Sequence, residues 1–162
     1  MLRAGIGTDK HRLAGGRKLI VGGVWIDFPK GFVGHSDGDV AIHAVIDALL
    51  GAAGLGDIGH HFPDNDPKWK DANSVEMLKK TVEILKNAGY QPVNVDCTVH
   101  LEQPKLGRLK QEMSGVLATA LGIPRHMVNV KAKTGEGMGD IGRGDSGEAF
   151  AVAMVESVPT AP

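Results

Sequence analysis

Three polar residues interrupt an otherwise apolar segment between residues 39 and 53. Asp39, His43 and Asp47 are spaced four residues apart. In an α-helix each such step drifts by only about 40°, so the three side chains would form one polar stripe. Two interpretations stay open. In the first, Asp39 is a helix N-cap, His43 is a core histidine with its hydrogen bonds satisfied, and Asp47 is an exposed residue. In the second, the stripe takes part in chemistry and His43 is a metal ligand.

Asp9 and His11 supply a second polar pair near the start of the chain. Residues two apart on a strand point to the same face, so the carboxylate and the imidazole would lie side by side. If they face His43, they complete a set of three nitrogen and oxygen ligands with one open position, which is typical of catalytic zinc. The alternative is a surface ion pair beside Lys10 and Arg12.

Two glycine-bearing loops could bind phosphate groups. The Gly34–Asp39 loop leads into a predicted helix start, where backbone N–H groups and the Ser36 hydroxyl would suit a phosphate. The Lys131–Glu136 segment passes from a predicted strand into a second glycine-rich loop. Its cations, hydroxyl and carboxylate would suit a diphosphate with a divalent cation. The alternatives are a polar loop capped by Asp39 and a solvated charged hairpin.

Composition limits the function classes. The chain has 162 residues, of which 42% are hydrophobic, so one domain with a substantial core is expected. With 18 basic and 19 acidic residues the net charge is −1, which argues against a nucleic-acid or anionic-membrane binder. The single cysteine, Cys97, cannot form an internal disulfide and is expected to be a buried small hydrophobe in a reducing compartment. We expect a soluble protein without a signal peptide.

The pattern of apolar residues and turn residues predicts an α+β domain over residues 1–156 and a flexible tail over residues 157–162. Strands are predicted at 3–9, 93–101, 128–133 and 148–155, and a hairpin at 18–26 around Gly22 and Gly23. Helices are predicted at 39–53, 74–87 and 105–121, with loops over 28–38, 54–67 and 135–147. The helices are expected on one face of the sheet.

Six motifs occur in order along nearly the whole chain. They are Asp9-x-His11, His35-Ser36-Asp37-Gly38-Asp39 with His43 and Asp47, Gly56-Asp57-Ile58-Gly59, Phe62-Pro63-Asp64, Gln103-Pro104-Lys105-Leu106 and Lys131–Glu136. From about residue 3 to 155 the chain resembles the 2-C-methyl-D-erythritol 2,4-cyclodiphosphate synthases, enzymes of the non-mevalonate isoprenoid pathway. The His-Ser-Asp-Gly-Asp block with its downstream histidine is the most specific part of this resemblance.

The resemblance implies a role for each matching residue. Asp9, His11 and His43 would hold one zinc ion per subunit, and Glu136 would hold a magnesium or manganese ion that bridges the diphosphate. The catalytic residues would be His35, Ser36, Thr134 and Glu136. The substrate-binding residues would be Asp57, Ile58, Gly59, Phe62, Asp64, Glu102, Gln103, Pro104, Lys105, Leu106, Ala132, Lys133 and Arg143. Many members have threonine where Lys133 stands, and a residue that is often aromatic or otherwise apolar where Asp140 stands.

The resemblance also implies a mixed β-sheet with helices on one face, a small β-hairpin and a cyclic homotrimer with its sites between subunits. The expected substrate is a cytidine diphosphate ester of methylerythritol 2-phosphate, and the expected products are the cyclodiphosphate and CMP. The expected compartment is the bacterial cytoplasm, or the plastid stroma if a transit peptide was removed. Two rival functions stay open: a metal-dependent phosphohydrolase, and a non-catalytic, zinc-stabilised trimeric nucleotide-binding protein.

Overall fold

The computed structural model describes residues 1–158, which form two β-sheets and five α-helices. The strands are β1 (Leu2–Gly15), β2 (Leu19–Val21), β3 (Val24–Ile26), β4 (Lys30–Phe32), β5 (Tyr90–His100), β6 (Val128–Lys133) and β7 (Ser146–Ser157). The helices are α1 (Val40–Ala53), α2 (Ile58–His61), α3 (Ser74–Asn87), α4 (Lys110–Leu121) and α5 (Gly139–Gly142). Short 3-10 turns occupy Pro67–Trp69 and Arg125–Met127.

The main sheet is mixed and has five strands in the order β4-β1-β7-β5-β6. Only β5 and β6 are parallel, and every other neighbouring pair is antiparallel. Strands β2 and β3 form a separate two-stranded hairpin. Its turn residues, Gly22 and Gly23, have φ values of 57° and 76°. Positive φ at both central residues is what a two-residue turn with the right twist requires, so the predicted hairpin is confirmed.

The helices cover one face of the main sheet. Helix α1 packs across β1, β7 and β5, while α3 packs on α1 and β5 and α4 packs on β6 and α3. Nearly every residue of α1 is buried, and so is Cys97 on β5. The opposite face of the sheet exposes apolar side chains, among them Ile6, Phe150 and Val152. The predicted α+β domain, with its helices on one face of a mixed sheet, is confirmed.

Several boundaries differ from the sequence prediction. Strand β1 continues beyond residue 9 because it pairs with β7 as far as Arg12 and then with β4 from Leu13. Helix α4 begins at Lys110 rather than at 105, because a turn in which the Leu109 N–H donates to the Leu106 carbonyl precedes it.

The predicted loops contain the short elements β4, α2 and α5. The predicted tail begins at residue 157, but Ser157 is still the last residue of β7 and pairs with Tyr90 of β5. Residues 159–162 of the predicted tail lie outside the described residues. Over residues 1–158, no helix is both long and apolar enough to cross a membrane.

Candidate active site

Two glycines allow α1 to lie directly against β1. A Cβ atom at Gly7 would lie 2.0 Å from the Ala44 carbonyl oxygen, and one at Gly5 would lie 2.2 Å from the Ala48 carbonyl oxygen. A side chain at either position would therefore push the helix away from the strand. This close packing sets the position of His43, which precedes Ala44 on the helix, over the strand residue Asp9.

Asp9, His11 and His43 meet at one point. The Asp9 Oδ2 atom lies 3.0 Å from His43 Nδ1 and 3.0 Å from His11 Nε2. One potential ligand atom from each residue lies within 4.8 Å of the others. His43 is buried, whereas Asp9 and His11 are half-buried and open to an adjoining cavity. The structure therefore brings together the three ligands that the sequence predicts.

Hydrogen-bond directions show why this cluster suits a cation. His11 Nδ1 lies 2.8 Å from the Val33 carbonyl oxygen, which can only accept, so Nδ1 carries a proton. A neutral His11 therefore directs the lone pair of Nε2 toward the Asp9 carboxylate, which also accepts. Acceptor atoms at this distance need a proton or a metal ion between them. A carboxylate and two imidazoles are a ligand set that zinc accepts, so these residues fit a zinc ion.

The electrostatics of the metal-free cluster agree with that interpretation. Burial raises the pKa of Asp9, but hydrogen bonds from His11 and His43 outweigh burial and lower the pKa to about 2. Burial lowers the pKa of His11, but the hydrogen bond to Asp9 and its negative charge outweigh burial and raise the pKa. Protons therefore occupy the cluster readily and compete with a metal ion for the same atoms.

The other two residues of the helical stripe stabilise the structure around His43. Asp39 is buried, accepts from the backbone N–H groups of Ala41 and Ile42 as the N-cap of α1, and also accepts from Gly22 and Gly23. Burial raises the pKa of Asp39 to about 6. Asp47 is half-buried and accepts from the Ile58 N–H at 2.7 Å, which anchors the start of α2. The N-cap interpretation of Asp39 is confirmed. The polar stripe therefore consists of one candidate metal ligand, His43, between two carboxylates that stabilise the local structure.

A cavity of about 210 Å³ opens beside the three ligands. Besides Asp9, His11 and His43, its lining residues are His35, Ser36, Ile58, Gly59, Phe62, Asp64, Trp69 and Met77. Six of these were predicted as catalytic or substrate-binding residues: His35, Ser36, Ile58, Gly59, Phe62 and Asp64. Asp57 caps α2 by accepting from the His60 N–H at 2.9 Å. We call the three ligands together with this cavity the metal half of the candidate site.

A second cluster of predicted residues lies at the ends of the parallel strands β5 and β6. We call residues 102–106 and 132–136 the loop half. The Glu102 carboxylate accepts from the Gly135 N–H at 2.9 Å and so ties the two segments together. The Thr134 hydroxyl donates to the Glu136 carboxylate at 2.7 Å. Lys105, Lys133 and Glu136 are exposed, whereas Leu106 is buried in the core.

Arg143 and Asp140 lie near the loop half but make different contacts. Arg143 pairs with Asp145 at 2.9 Å and lines a cavity of about 310 Å³ together with Glu102 and Gln103. Asp140 accepts from Lys10 at 2.6 Å and from the Ser146 hydroxyl at 2.6 Å. Arg143 is therefore next to the loop half, while Asp140 ties α5 to the metal-binding strand.

Within one chain the two halves do not share this cavity. The lining of the 210 Å³ cavity includes no residue of the loop half. Phe32 is fully buried and its ring packs on Gly147, where a Cβ would be only 2.7 Å from the ring. Gly147 is the β7 partner of His11, and a Cβ there would also lie 3.0 Å from Leu101, which precedes the loop half. The strand partner of His11 and the residue before the loop half therefore meet in closely packed core beside Phe32.

Comparison with known proteins agrees with the motifs. A sequence model of the YgbB family matches residues 2–156. The chain belongs to the YgbB family. A relative from Desulfatibacillum aliphaticivorans, named 2-C-methyl-D-erythritol 2,4-cyclodiphosphate synthase, is 54% identical over 155 residues, covering 96% of this chain and 100% of that protein. A relative of the same name from Salinibacter ruber is 53% identical over 156 residues, covering 96% of this chain and 99% of that protein. The resemblance drawn from the motifs is confirmed.

Solved structures of YgbB-type proteins have the same fold. The bifunctional IspDF of Campylobacter jejuni matches with a TM-score of 0.92 and 39% identity, covering 97% of this chain and 42% of that longer chain. A 2C-methyl-D-erythritol-2,4-cyclodiphosphate synthase in a form bound to CDP matches with a TM-score of 0.87 and 36% identity, covering 95% of this chain and 100% of that one.

Sequence reasoning missed three residues of the metal half in this YgbB protein. Trp69 lines the cavity and packs edge-on against Phe62, with ring centroids 4.8 Å apart. Met77 lines the same cavity from α3, and Ser74, at the start of α3, contacts His43. Trp69 carried a usable signal, since it is one of only two tryptophans and lies in a polar, proline-marked segment. Ser74 and Met77 carried none, because only the fold brings α3 to the cluster.

Proposed function

We propose that the chain converts 4-diphosphocytidyl-2-C-methyl-D-erythritol 2-phosphate into 2-C-methyl-D-erythritol 2,4-cyclodiphosphate and CMP. The observation that carries this proposal is the convergence of Asp9, His11 and His43 beside a cavity that also holds His35 and Ser36. The names of the YgbB relatives point to the same reaction. Both rival functions, hydrolysis and binding without turnover, lack support of this kind.

The reaction is an intramolecular phosphoryl transfer. An oxygen of the 2-phosphate forms a bond to the β-phosphorus, the bond from the β-phosphorus to the bridging oxygen breaks, and that oxygen leaves as part of CMP. A zinc ion held by Asp9, His11 and His43, with a magnesium or manganese ion held by Glu136, would supply positive charge to the phosphate oxygens. Because such reactions need little covalent work from the protein, positioning and charge dominate catalysis.

The residues around the cavity would position the substrate. His35 and Ser36 present an imidazole and a hydroxyl beside the metal ligands, where the 2-phosphate would lie. Asp64 and the first turn of α2, with Gly59, line the same cavity and would receive the methylerythritol hydroxyl groups. In the loop half, residues 102–106 with Ala132 would hold the cytidine, and Thr134 would contact the phosphates. Lys133 and Arg143 would be further substrate-binding residues.

We further propose a cyclic homotrimer in which the metal half of one subunit faces the loop half of its neighbour. The absence of loop-half residues from the lining of the cavity beside the metal ligands supports this arrangement, because a single substrate must contact both halves. Apolar side chains on the uncovered sheet face, Ile6, Phe150 and Val152, are 69%, 40% and 48% exposed and would be covered by subunit contacts. The compartment, bacterial cytoplasm or plastid stroma, stays a prediction.

CMP formation from the cytidine diphosphate substrate tests the proposed function. We expect CMP and the cyclic diphosphate in equal amounts, loss of both after treatment with a chelator, and recovery when zinc and magnesium are returned. A ring-open phosphate in place of the cyclic product would favour the phosphohydrolase. Tight cytidine nucleotide binding without CMP release would favour the binding protein.

A further inference from the structure

Ser74 is buried at the first position of α3, yet its hydroxyl is not needed to cap that helix. Asn73 is the N-cap and accepts from the Val75 and Glu76 N–H groups at 2.8 and 3.4 Å. The Ser74 hydroxyl instead donates to Asp37 Oδ1, and the Ser74 N–H donates to Asp37 Oδ2 at 2.9 Å. Asp37 thus holds Ser74 through both its oxygens.

The remaining acceptor capacity of Ser74 is directed at a proposed metal ligand. The Ser74 Oγ lies 3.0 Å from His43 Nε2. A hydroxyl has one proton, and that of Ser74 is given to a carboxylate, so toward His43 the oxygen can only accept. His43 Nε2 therefore carries a proton and donates it to Ser74. In the neutral imidazole this leaves the lone pair on Nδ1, which is the atom that lies 3.0 Å from Asp9.

We propose that Asp37 and Ser74 are positioning residues, which together fix the proton of His43 on Nε2 and so direct Nδ1 at the zinc position. This inference rests on the proposed metal site. The hydrogen-bond partners of a metal-bound histidine set its ring orientation and its basicity, and their loss typically costs about 10- to 100-fold in metal affinity. It assigns a role to Asp37, the residue of the His-Ser-Asp-Gly-Asp block that had none.

The same arrangement determines what Ser36 can do. Its hydroxyl is also 3.0 Å from His43 Nε2 and accepts from the Gly38 N–H at 3.4 Å. Because Nε2 is already protonated, Ser36 cannot donate to it. The proton of Ser36 is therefore free to point into the adjoining cavity, where the proposed function requires a donor to a phosphate oxygen.

Zinc affinity, measured on purified protein by competition with a chelator, tests the proposal. We expect Ser74→Ala and Asp37→Asn each to weaken zinc binding by about 10- to 100-fold. The double variant should bind zinc no more weakly than Ser74→Ala alone, because Asp37 acts through the Ser74 hydroxyl. Ser114→Ala is the matched control: it removes another buried serine hydroxyl, which donates to Lys110 within α4, and should leave zinc affinity unchanged.

A second measurement observes the proton on His43 directly. In nitrogen-15 NMR spectra of the zinc-loaded wild type, we expect a proton on His43 Nε2 that exchanges slowly with solvent, and in Ser74→Ala we expect its signal to disappear through faster exchange. Zinc affinity of Ser74→Ala within twofold of the wild type, or rapid exchange of that proton in the wild type, would overturn the proposal. If the wild type itself binds no zinc, the metal assignment fails instead.

Discussion

The metal half and the loop half differ in how completely one chain builds them. In the metal half, Asp9, His11 and His43 are half-buried or buried. Hydrogen bonds to the Val33 carbonyl and to the Ser74 hydroxyl hold the imidazoles of His11 and His43 in place. In the loop half, Lys105, Lys133 and Glu136 are exposed and only a few hydrogen bonds hold the segments together. A preformed metal half beside a more exposed loop half is the arrangement expected if a neighbouring subunit completes the loop half.

The largest expected effects distinguish the two halves by the metal ion that each is proposed to hold. His43→Ala should lose zinc and lower kcat by on the order of 100- to 1000-fold, because it removes a ligand from a Lewis-acid site worth several kcal/mol. Glu136→Gln should lower kcat on a similar scale while retaining zinc, because it removes only the charge that we propose holds the second cation. Metal analysis and CMP assays on both variants make the comparison.

Two results would break this distinction. Full zinc occupancy in His43→Ala would remove His43 from the ligand set. Near-normal turnover of Glu136→Gln at saturating magnesium or manganese would reduce Glu136 to a solvated loop residue and leave the loop half without a metal.

The next effect tests how the backbone builds the metal half. Gly7→Ala places a Cβ against the Ala44 carbonyl and should cost about 3 kcal/mol or more in the free energy of unfolding, with weaker zinc binding. Gly15→Ala, on the same strand with open space around its Cβ, is the matched control and should change stability by less than about 1 kcal/mol. Equal stability of the two variants would show that α1 does not depend on close contact with β1.

A smaller effect follows from the shifted pKa values. The raised pKa of His11 stabilises the metal-free fold below pH 6.5 and loses that effect as pH rises, whereas the lowered pKa of Asp9 stabilises it above pH 3.8. As the pH rises from 6.5 through the raised pKa of His11, metal-free protein should therefore lose stability relative to Asp9→Asn. Zinc-loaded protein should show the opposite trend, because fewer protons compete with the metal.

Denaturant unfolding of the two proteins, each with and without zinc, measures this pH dependence. The interpretation fails if the metal-free wild type gains stability over Asp9→Asn across the same pH range. Glu136→Gln, which lies in the loop half, is the control that should follow the wild type in both conditions.

The smallest effect concerns the order of the loop half. Glu102→Gln keeps an acceptor for the Gly135 N–H but removes the negative charge that strengthens this bond. We expect KM to rise by about fivefold, which corresponds to about 1 kcal/mol, with kcat and zinc content nearly unchanged. A large loss of zinc in this variant would mean that the halves of one chain are coupled after all.

The sequence predicted site residues where side chains that can bind a metal also occur at a spacing that places them on one face of a strand or helix. The convergence of Asp9, His11 and His43 was predictable because Asp9 and His11 share a strand face and His43 belongs to a polar stripe on an otherwise apolar helix. Ser74 and Met77 were not predictable, because only the packing of α3 brings Met77 to the cavity and Ser74 to His43. Short elements such as β4 and α2 were missed because tertiary contacts form them: β4 pairs with the end of β1, and Asp47 anchors α2.

The sequence also did not predict that the cavity beside the metal ligands is lined by no residue of the loop half. Nothing in the spacing of residues 9–43 and 102–136 excludes a site within one chain. The lining depends on tertiary packing, including that of the buried Phe32 ring on Gly147, which requires the pairing of β1 with β7 and β4.

Subunit complementation tests the central claim, that one chain supplies the metal half and its neighbour the loop half. We expect His43→Ala and Glu136→Gln chains each to be nearly inactive as homotrimers, and gel filtration must verify that both still assemble. When equal amounts assemble at random, each site draws its two halves independently, so roughly a quarter of the sites should be intact. About a quarter of wild-type CMP formation supports the account. Verified mixed trimers with no more activity than the two parents would contradict it and return the whole site to a single chain.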